Sequence, residues 1–242
     1  MANHIKNILY FNKKQYPNIF EELLDSNGNF DFNKIISMPD SLRLVAGSLE
    51  GIAIQYALMK NEESKDKDLK ILENTRTDFY GNYLRKYCAE KKDKEYLEEQ
   101  NKKFKESLLK NDSPFDDYSE TYEKYNIKDL NDLGKLYLKN LKDYGFINWY
   151  DWCIENWGTK WNAYEQQHFS IRYDNVIIFE TAWSYPKPII EKLAKKYDFN
   201  FKYADEDIGN NCGKIAFADG EAIVFDIKDT YGFAKRVWKY SE

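Results

Sequence analysis

Two histidines, a run of three acids and a short polar triad are the residues of this chain best suited to chemistry. His4 and His168 are its only histidines. A pair of imidazoles can ligate a metal, and one alone can act as a base. Neither has a cysteine or carboxylate at ligand spacing in sequence, and His168 alternates with Phe169 and Ile171, which predicts exposure. Asp205-Glu206-Asp207, just before Gly209, offers oxygen donors of the kind a hard divalent cation prefers. The spacing of a calcium loop is missing, and adjacent acids in a loop usually face water, so no metal and no cofactor is expected. Asn156, Thr159 and Lys160 would present a cation and two hydrogen-bonding groups at a helix end, which suits a phosphate or an acidic partner. Those same residues can instead satisfy the open amides and carbonyls of that end, with Lys160 lying over Trp157 or Trp161. The structural reading is favoured, because every helix end needs such partners. HExxH, paired CxxC, GxSxG and phosphate-binding glycine motifs are absent. The three cysteines, Cys88, Cys153 and Cys212, form neither a disulfide framework nor a zinc set.

The triad belongs to the stretch around which the chain can be arranged. Phe146, Trp149 or Tyr150, Cys153 and Trp157 recur at helical spacing, and Gly158 supplies the left-handed conformation that ends many helices. From Trp161 the period becomes two, through Ala163, Phe169, Ile171 and Tyr173. A helix running into a strand is predicted, with aromatic rings at the junction serving as the main core anchor. Cys153 shares the apolar face, so it should be buried and inert.

The flanking elements follow from the same periodicities. Asn3–Phe11 reads as a strand, Tyr16-Pro17 opens a helix, and Phe30–Ile36 reads as a second strand that Met38-Pro39 ends. From about Ser41 to Gly145 charge crowds in, and apolar residues space at three and four: Leu49, Ile52, Tyr56 and Met59; Phe79, Tyr83, Leu84 and Tyr87; Leu130, Leu133, Leu136 or Tyr137, and Leu141, with Gly145 ending the last stripe. These are amphipathic helices with a thin core, expected to pack on the sheet. Lys91–Lys110 alternates in sign and reads as a solvated face, broken by Asn111–Pro114. Further on, Asp174-Asn175 is read as a hairpin turn, Val176–Trp183 as a central strand, and Ser184 as the cap of a helix carrying Pro186 and Pro188. Phe199–Tyr203 alternates, Asp219-Gly220 marks a hairpin, and Asp229 caps a final helix. The expected fold is α+β, a ferredoxin-like split βαβ antiparallel sheet with a large helical insertion. Residues 1–40 would form its first half, 41–145 the insertion, and 146–242 the junction and second half.

Composition narrows the function classes. With 242 residues, 43% hydrophobic and 17% aromatic, the chain can bury a sizeable core. A net charge of -5 argues against a globally basic nucleic-acid binder but leaves room for a local basic groove. Sparse cysteines suit a reducing cytoplasm, and no long apolar run predicts a signal peptide or a membrane span.

Several stretches resemble one family: Ala2-Asn3-His4 with Lys6-Asn7; Phe30–Ile36 with Met38-Pro39; Glu155-Asn156-Trp157-Gly158-Thr159-Lys160-Trp161-Asn162; and Phe179–Pro186 with Pro188-Ile189-Ile190. Together they are similar to the YubB-like family of conjugative plasmids and phages, whose members carry a ferredoxin-like domain. Ser37 stands where a proline is expected. The resemblance implies a fold and a mobile-element setting, and it carries over no catalytic residue.

Three functions stay open. The leading one is non-enzymatic binding by a mobile-element accessory protein in the host cytoplasm, to a host protein or protein–nucleic-acid complex, as in antagonism of a host defence. The second is single-stranded nucleic-acid binding on an exposed sheet face, where Arg172, Lys202 and Lys214 would stand beside aromatic rings. The third is an enzyme of unrecognised type built on the acidic loop.

Overall fold

The computed structural model describes residues 3–61, 93–110 and 116–239 of the chain. The apolar stripe of Phe79, Tyr83, Leu84 and Tyr87, the break at Asn111–Pro114 and Cys88 lie outside these residues. In chain order the elements are β1 (His4–Asn12), α1 (Ile19–Leu23), α2 (Ser48–Lys60), α3 (Lys94–Leu108), α4 (Ser119–Lys124), α5 (Leu130–Tyr144) and α6 (Trp149–Trp157). Then follow β2 (Tyr164–Ser170), β3 (Asp174–Ala182), α7 (Lys187–Ala194), β4 (Phe199–Asp205), β5 (Cys212–Ala218), β6 (Glu221–Val224) and α8 (Thr230–Trp238). The chain divides into two compact units, Met1–Ser37 with Trp152–Glu242, and Met38–Asp151. No helix among the described residues is long and apolar enough to cross a membrane.

The first unit is built on one six-stranded sheet in the order β2-β3-β1-β4-β5-β6, antiparallel at every step. β1 lies between β3 and β4, and β2 lies outside β3, which is the split βαβ arrangement. The strand expected at Phe30–Ile36 is absent. Phe30 makes an isolated bridge to Leu24, and Phe32–Lys34 form a 3-10 turn. The Asp31 carboxylate accepts the Asn33 N–H, and this local bond coils a stretch whose alternation looks like a strand. The second strand of the first crossover is therefore β2, and α6, the tryptophan helix, leads into it. The helical unit falls within that crossover, not after a completed half.

One sheet face carries the main core. Ile5, Leu9 and Phe11 of β1, Phe179 of β3 and Phe201 of β4 are fully buried there. Phe32 meets Trp157 and Phe179 edge-on, at 5.7 and 5.8 Å between ring centres. The Trp157 indole N–H donates to the Ile36 carbonyl at 2.9 Å, so the buried polar edge of the ring is satisfied. Trp152, Cys153 and Trp157 are buried as the helical spacing predicts. Trp161 departs from it and is 39% exposed. The period-two reading fails because the β2 register breaks between Tyr164 and Gln167, where Glu165 has a φ of 45°. Gly158, at φ 77°, ends the helix.

Two turn assignments also shift. Asp174 and Asn175 begin β3 instead of forming the hairpin loop, and Ile171 N–H donates to Asp174 O across Arg172 and Tyr173. Tertiary partners decide this: buried Asn175 donates to the Tyr16 carbonyl and accepts the Ser170 hydroxyl. Ser184 is not the helix cap. Pro186 holds that position, and the Ser184 hydroxyl donates to the Gly158 carbonyl. Asp219-Gly220 does turn the β5–β6 hairpin, with φ of 51° and 80°, and Asp229 caps α8 through the Gly232 N–H.

The second unit has a fuller core than its charge suggests. Tyr56, Leu97, Phe104, Leu130, Leu133 and Tyr137 are among its buried members. Several buried polar groups are paired within it. Tyr137 donates to the Val45 carbonyl at 2.6 Å, while Asn101 donates to the Tyr56 hydroxyl and accepts the Leu130 N–H. Asp129 caps α5 by accepting the Asn131 and Asp132 amides, and Gly145 closes it at φ 78°.

At Gly134, α5 lies close against α2. A Cβ there would lie 2.1 Å from the Ala53 carbonyl oxygen. Helix propensity alone makes Gly→Ala a gain of about 1 kcal/mol, whereas forcing atoms into a packed contact costs about 1–3 kcal/mol or more. Gly134→Ala is therefore expected to lower the thermal midpoint of this unit in calorimetry. A raised midpoint would show that the two helices separate freely.

Candidate functional site

The second sheet face is set by the register of the strands. Neighbouring across it are Phe169, Val176, Tyr10, Asn200, Ala216 and Ile223 in one row, and Gln167, Ile178, Ile8, Lys202 and Lys214 in the next. α8 packs over β4, with β1 and β5 alongside. Its Phe233, Ala234 and Val237 bury Ile8, Val176, Ile178 and Ala204. The face is thus only partly covered. Asn200, Phe169, Ile223 and Phe225 are exposed, and Tyr10, Lys202, Lys214 and Ala216 are half-buried.

Lys202 and Lys214 pair directly across β4 and β5. Each ammonium lies over a ring. Lys202 Nζ is 4.8 Å from the centre of Tyr10, and Lys214 Nζ is 4.3 Å from that of Phe225. Adjacent like charges repel, so this pairing carries a cost, which the rings offset in part by cation–π attraction. Burial, and then the Asp174 carboxylate, push the Tyr10 hydroxyl above its ordinary range, so the ring stays neutral at physiological pH. Two cations backed by flat rings on a pleated surface can hold a phosphodiester backbone while bases stack beside it. Arg172, the third basic candidate, sits apart in the β2–β3 turn, 5.0 Å over Tyr173.

The other three predicted residues fall at the end of α6. Thr159 is buried, and its hydroxyl donates to the Ala182 carbonyl at 2.8 Å and accepts the Ala182 N–H at 3.1 Å. It has no surface to offer a ligand. Asn156 donates to the Trp152 carbonyl one turn back. Lys160 lies 4.7 Å from the centre of Trp161 and 5.3 Å from that of Trp183, both of which are exposed. Trp183 has a φ of 71°, a strained conformation for so bulky a residue.

A polar group around His4 was not legible from spacing. His4 Nδ1 is 2.7 Å from the Tyr164 hydroxyl and 4.0 Å from Glu180, and its backbone N–H donates to Glu206. Lys6 Nζ pairs with Glu180 at 3.3 Å and lies over the Trp238 ring at 4.4 Å. Burial, followed by Glu180, Glu206 and Glu165, pushes the Tyr164 hydroxyl up to about 12. It is a neutral phenol and a hydrogen-bonding partner, not a ready nucleophile. These contacts join residues more than 150 positions apart, so only the strand register could reveal them. In the acidic loop, buried Asp205 accepts the Gly209 and Asn211 amides and shapes the turn, while Asp207 accepts from Asn3. His168 is exposed, and its ring meets Phe20 at 5.1 Å.

Most of the strands just described lie within residues 156–237, and these match a family model described as the ferredoxin-like domain in Api92-like protein. The fold class is α+β and ferredoxin-like. A crystal structure of a protein api92 from Yersinia pseudotuberculosis is similar at 8% identity, over 94% of this chain and 99% of that one, with a TM-score of 0.41. The sequence matches no curated protein.

The double bond of Thr159 to Ala182 is open to test. Thr159→Val keeps the shape but leaves the Ala182 amide and carbonyl without their partner, at a cost of about 2 kcal/mol. The expected outcome in urea unfolding is a lowered midpoint for Thr159→Val and a near-normal one for Thr159→Ser. Equal behaviour of the two variants would remove the structural role.

Proposed function

We propose that this protein acts by binding, and that the open part of its second sheet face takes a single-stranded nucleic acid. The observation that carries this reading is the Lys202–Lys214 pair, set across adjacent strands and backed by Tyr10 and Phe225. Phosphates would sit on the two ammonium groups, and bases would stack on Phe169, Tyr10 and Phe225 with little sequence preference. The net charge of -5 restricts attraction to this local surface and disfavours loose, chain-wide binding. The YubB-like resemblance of Asn156–Asn162 supports a mobile-element accessory role in a bacterial host, where single strands arise during transfer and replication.

A second reading has its own support. Trp161 and Trp183 expose indoles on either side of Lys160, and tryptophan is enriched where protein partners bind most strongly. In this reading the protein engages a host protein, as an antagonist of host defence would. Trp183→Ala would then abolish capture of that partner and leave oligonucleotide binding intact.

Fluorescence anisotropy with labelled oligo(dT) and oligo(U), repeated over a salt series, tests the first reading. Wild type is expected to bind at low salt and weaken as salt rises. The doubly substituted Lys202→Ala, Lys214→Ala protein should bind more weakly, with a log–log salt slope reduced by about 0.7 per lysine. No binding at low salt, or equal slopes for the two proteins, would overturn it.

A further inference from the structure

We propose that a bound single strand crosses the second sheet face on one diagonal, from Lys214 and Phe225 to a further contact made by Lys13, Lys14 and Arg172 beside Tyr173. This inference rests on the nucleic-acid reading and adds the path and the far end of the site.

Strand direction places the ends of that path. β1 runs from His4 to Asn12, and β3 and β4 run against it, so Asn12 lies level with Asp174 and close to the start of β4. The turn between β2 and β3 adjoins this end. The Lys13 N–H donates to the Tyr173 carbonyl at 2.8 Å, which ties the end of β1 to that turn. Asn12 Oδ1 accepts the Lys14 and Gln15 N–H groups and holds the chain in place as it leaves the strand. Lys13, Lys14, Arg172 and Tyr173 are all exposed at this tip, Tyr173 at 61%. Among the described residues, none of the three cations forms an ion pair. The acid beside them is Asp174, which is half-buried.

Charge closes the other diagonal. At the far end of β1 and β3, Glu165, Glu180, Glu206 and Asp207 gather around Tyr164, His4 and Asn3. The cations there are engaged: Lys6 pairs with Glu180, and Lys160 lies over Trp161 and Trp183. Beside the start of β4 and the β5–β6 turn stand Asp198, Asp219 and Glu221. A polyanion is repelled at both corners. The remaining diagonal alternates cations with rings. Lys214 lies over Phe225, Lys202 over Tyr10, and Arg172 over Tyr173. Lys202 is level with Ile8, five residues before Lys13, and three strand spacings separate β5 from β3. At about 3.3 Å per residue and about 4.8 Å per strand, the two ends of the path are about 20 Å apart. A strand of many nucleotides can reach both ends, and a very short one cannot.

Fluorescence anisotropy on the full chain, with oligo(dT) of about 5 and about 12 nucleotides, tests the path. Wild type is expected to hold the longer strand about fivefold or more tightly than the shorter. The doubly substituted Lys13→Ala, Arg172→Ala protein should lose most of that gain, with a log–log salt slope on the longer strand smaller by about 1.4, or 0.7 for each cation. A control that removes the same charge from α7, Lys192→Ala with Lys195→Ala, should keep it. All four side chains are exposed, so circular dichroism should be unchanged. If wild type binds and the Lys13, Arg172 variant matches it on the longer strand, or the control loses as much, this inference falls and the Lys202–Lys214 reading stands. Absence of wild-type binding at both lengths would overturn the two together.

Discussion

The end of the tryptophan helix is the constraint on which the first unit depends. Gly158 turns the chain with a positive φ, and the Thr159 hydroxyl then bonds to both backbone groups of Ala182 at the end of β3. One residue before the turn, the Trp157 indole is fixed to the Ile36 carbonyl. A Cβ on Gly158 would approach Pro188 Cδ to 2.7 Å, so the turn also sits against the start of α7. Three stretches distant in sequence, around Ile36, Trp157–Thr159 and Ala182–Pro188, thus meet at one helix terminus. Burying so large a ring is favourable only because its N–H keeps a partner.

That anchorage decides which face of the sheet can do anything else. Phe32, Trp157 and Phe179 fill one face with closely packed rings. On the other face, among the described residues, α8 crosses over β4. The ring of Phe225 is exposed and that of Tyr10 half-buried, and each carries a lysine. The His4 group lies on this same face but has spent its charges internally, on Tyr164, Glu180 and Lys6. A surface with neighbouring cations and spare rings is better suited to holding a polyanion than to moving protons.

The sequence made local geometry readable and long-range geometry opaque. Gly145, Gly158, Asp219-Gly220 and Asp229 announced helix ends and a hairpin, because each acts through its own backbone or its immediate neighbours. The strand expected at Phe30–Ile36 failed because period-two apolar spacing also fits a chain that lays Phe30 and Phe32 on the core from a 3-10 turn. Asn175 looked like a turn residue until Tyr16 and Ser170, remote or unremarkable in sequence, supplied its partners. Of the candidate site, Lys202 and Lys214 were legible as basic residues on alternating strands. Their rings were not, since Tyr10 comes from the other end of the chain and Phe225 from beyond the next strand. Thr159 was weighed as a ligand group or a helix-end partner, and its hydroxyl is wholly engaged with Ala182.

The central claim is that the indole-rich helix end is scaffold and the partly open sheet face is the working surface. Nitrogen-15 NMR of the full chain during titration with oligo(dT) tests it most directly, because the Trp157 indole N–H gives a signal separate from the backbone. The account predicts that the amides of Tyr10, Lys202 and Lys214 shift with bound strand while the Trp157 indole stays still. Movement of that indole and of the 156–160 amides, with β4 and β5 unmoved, would contradict it.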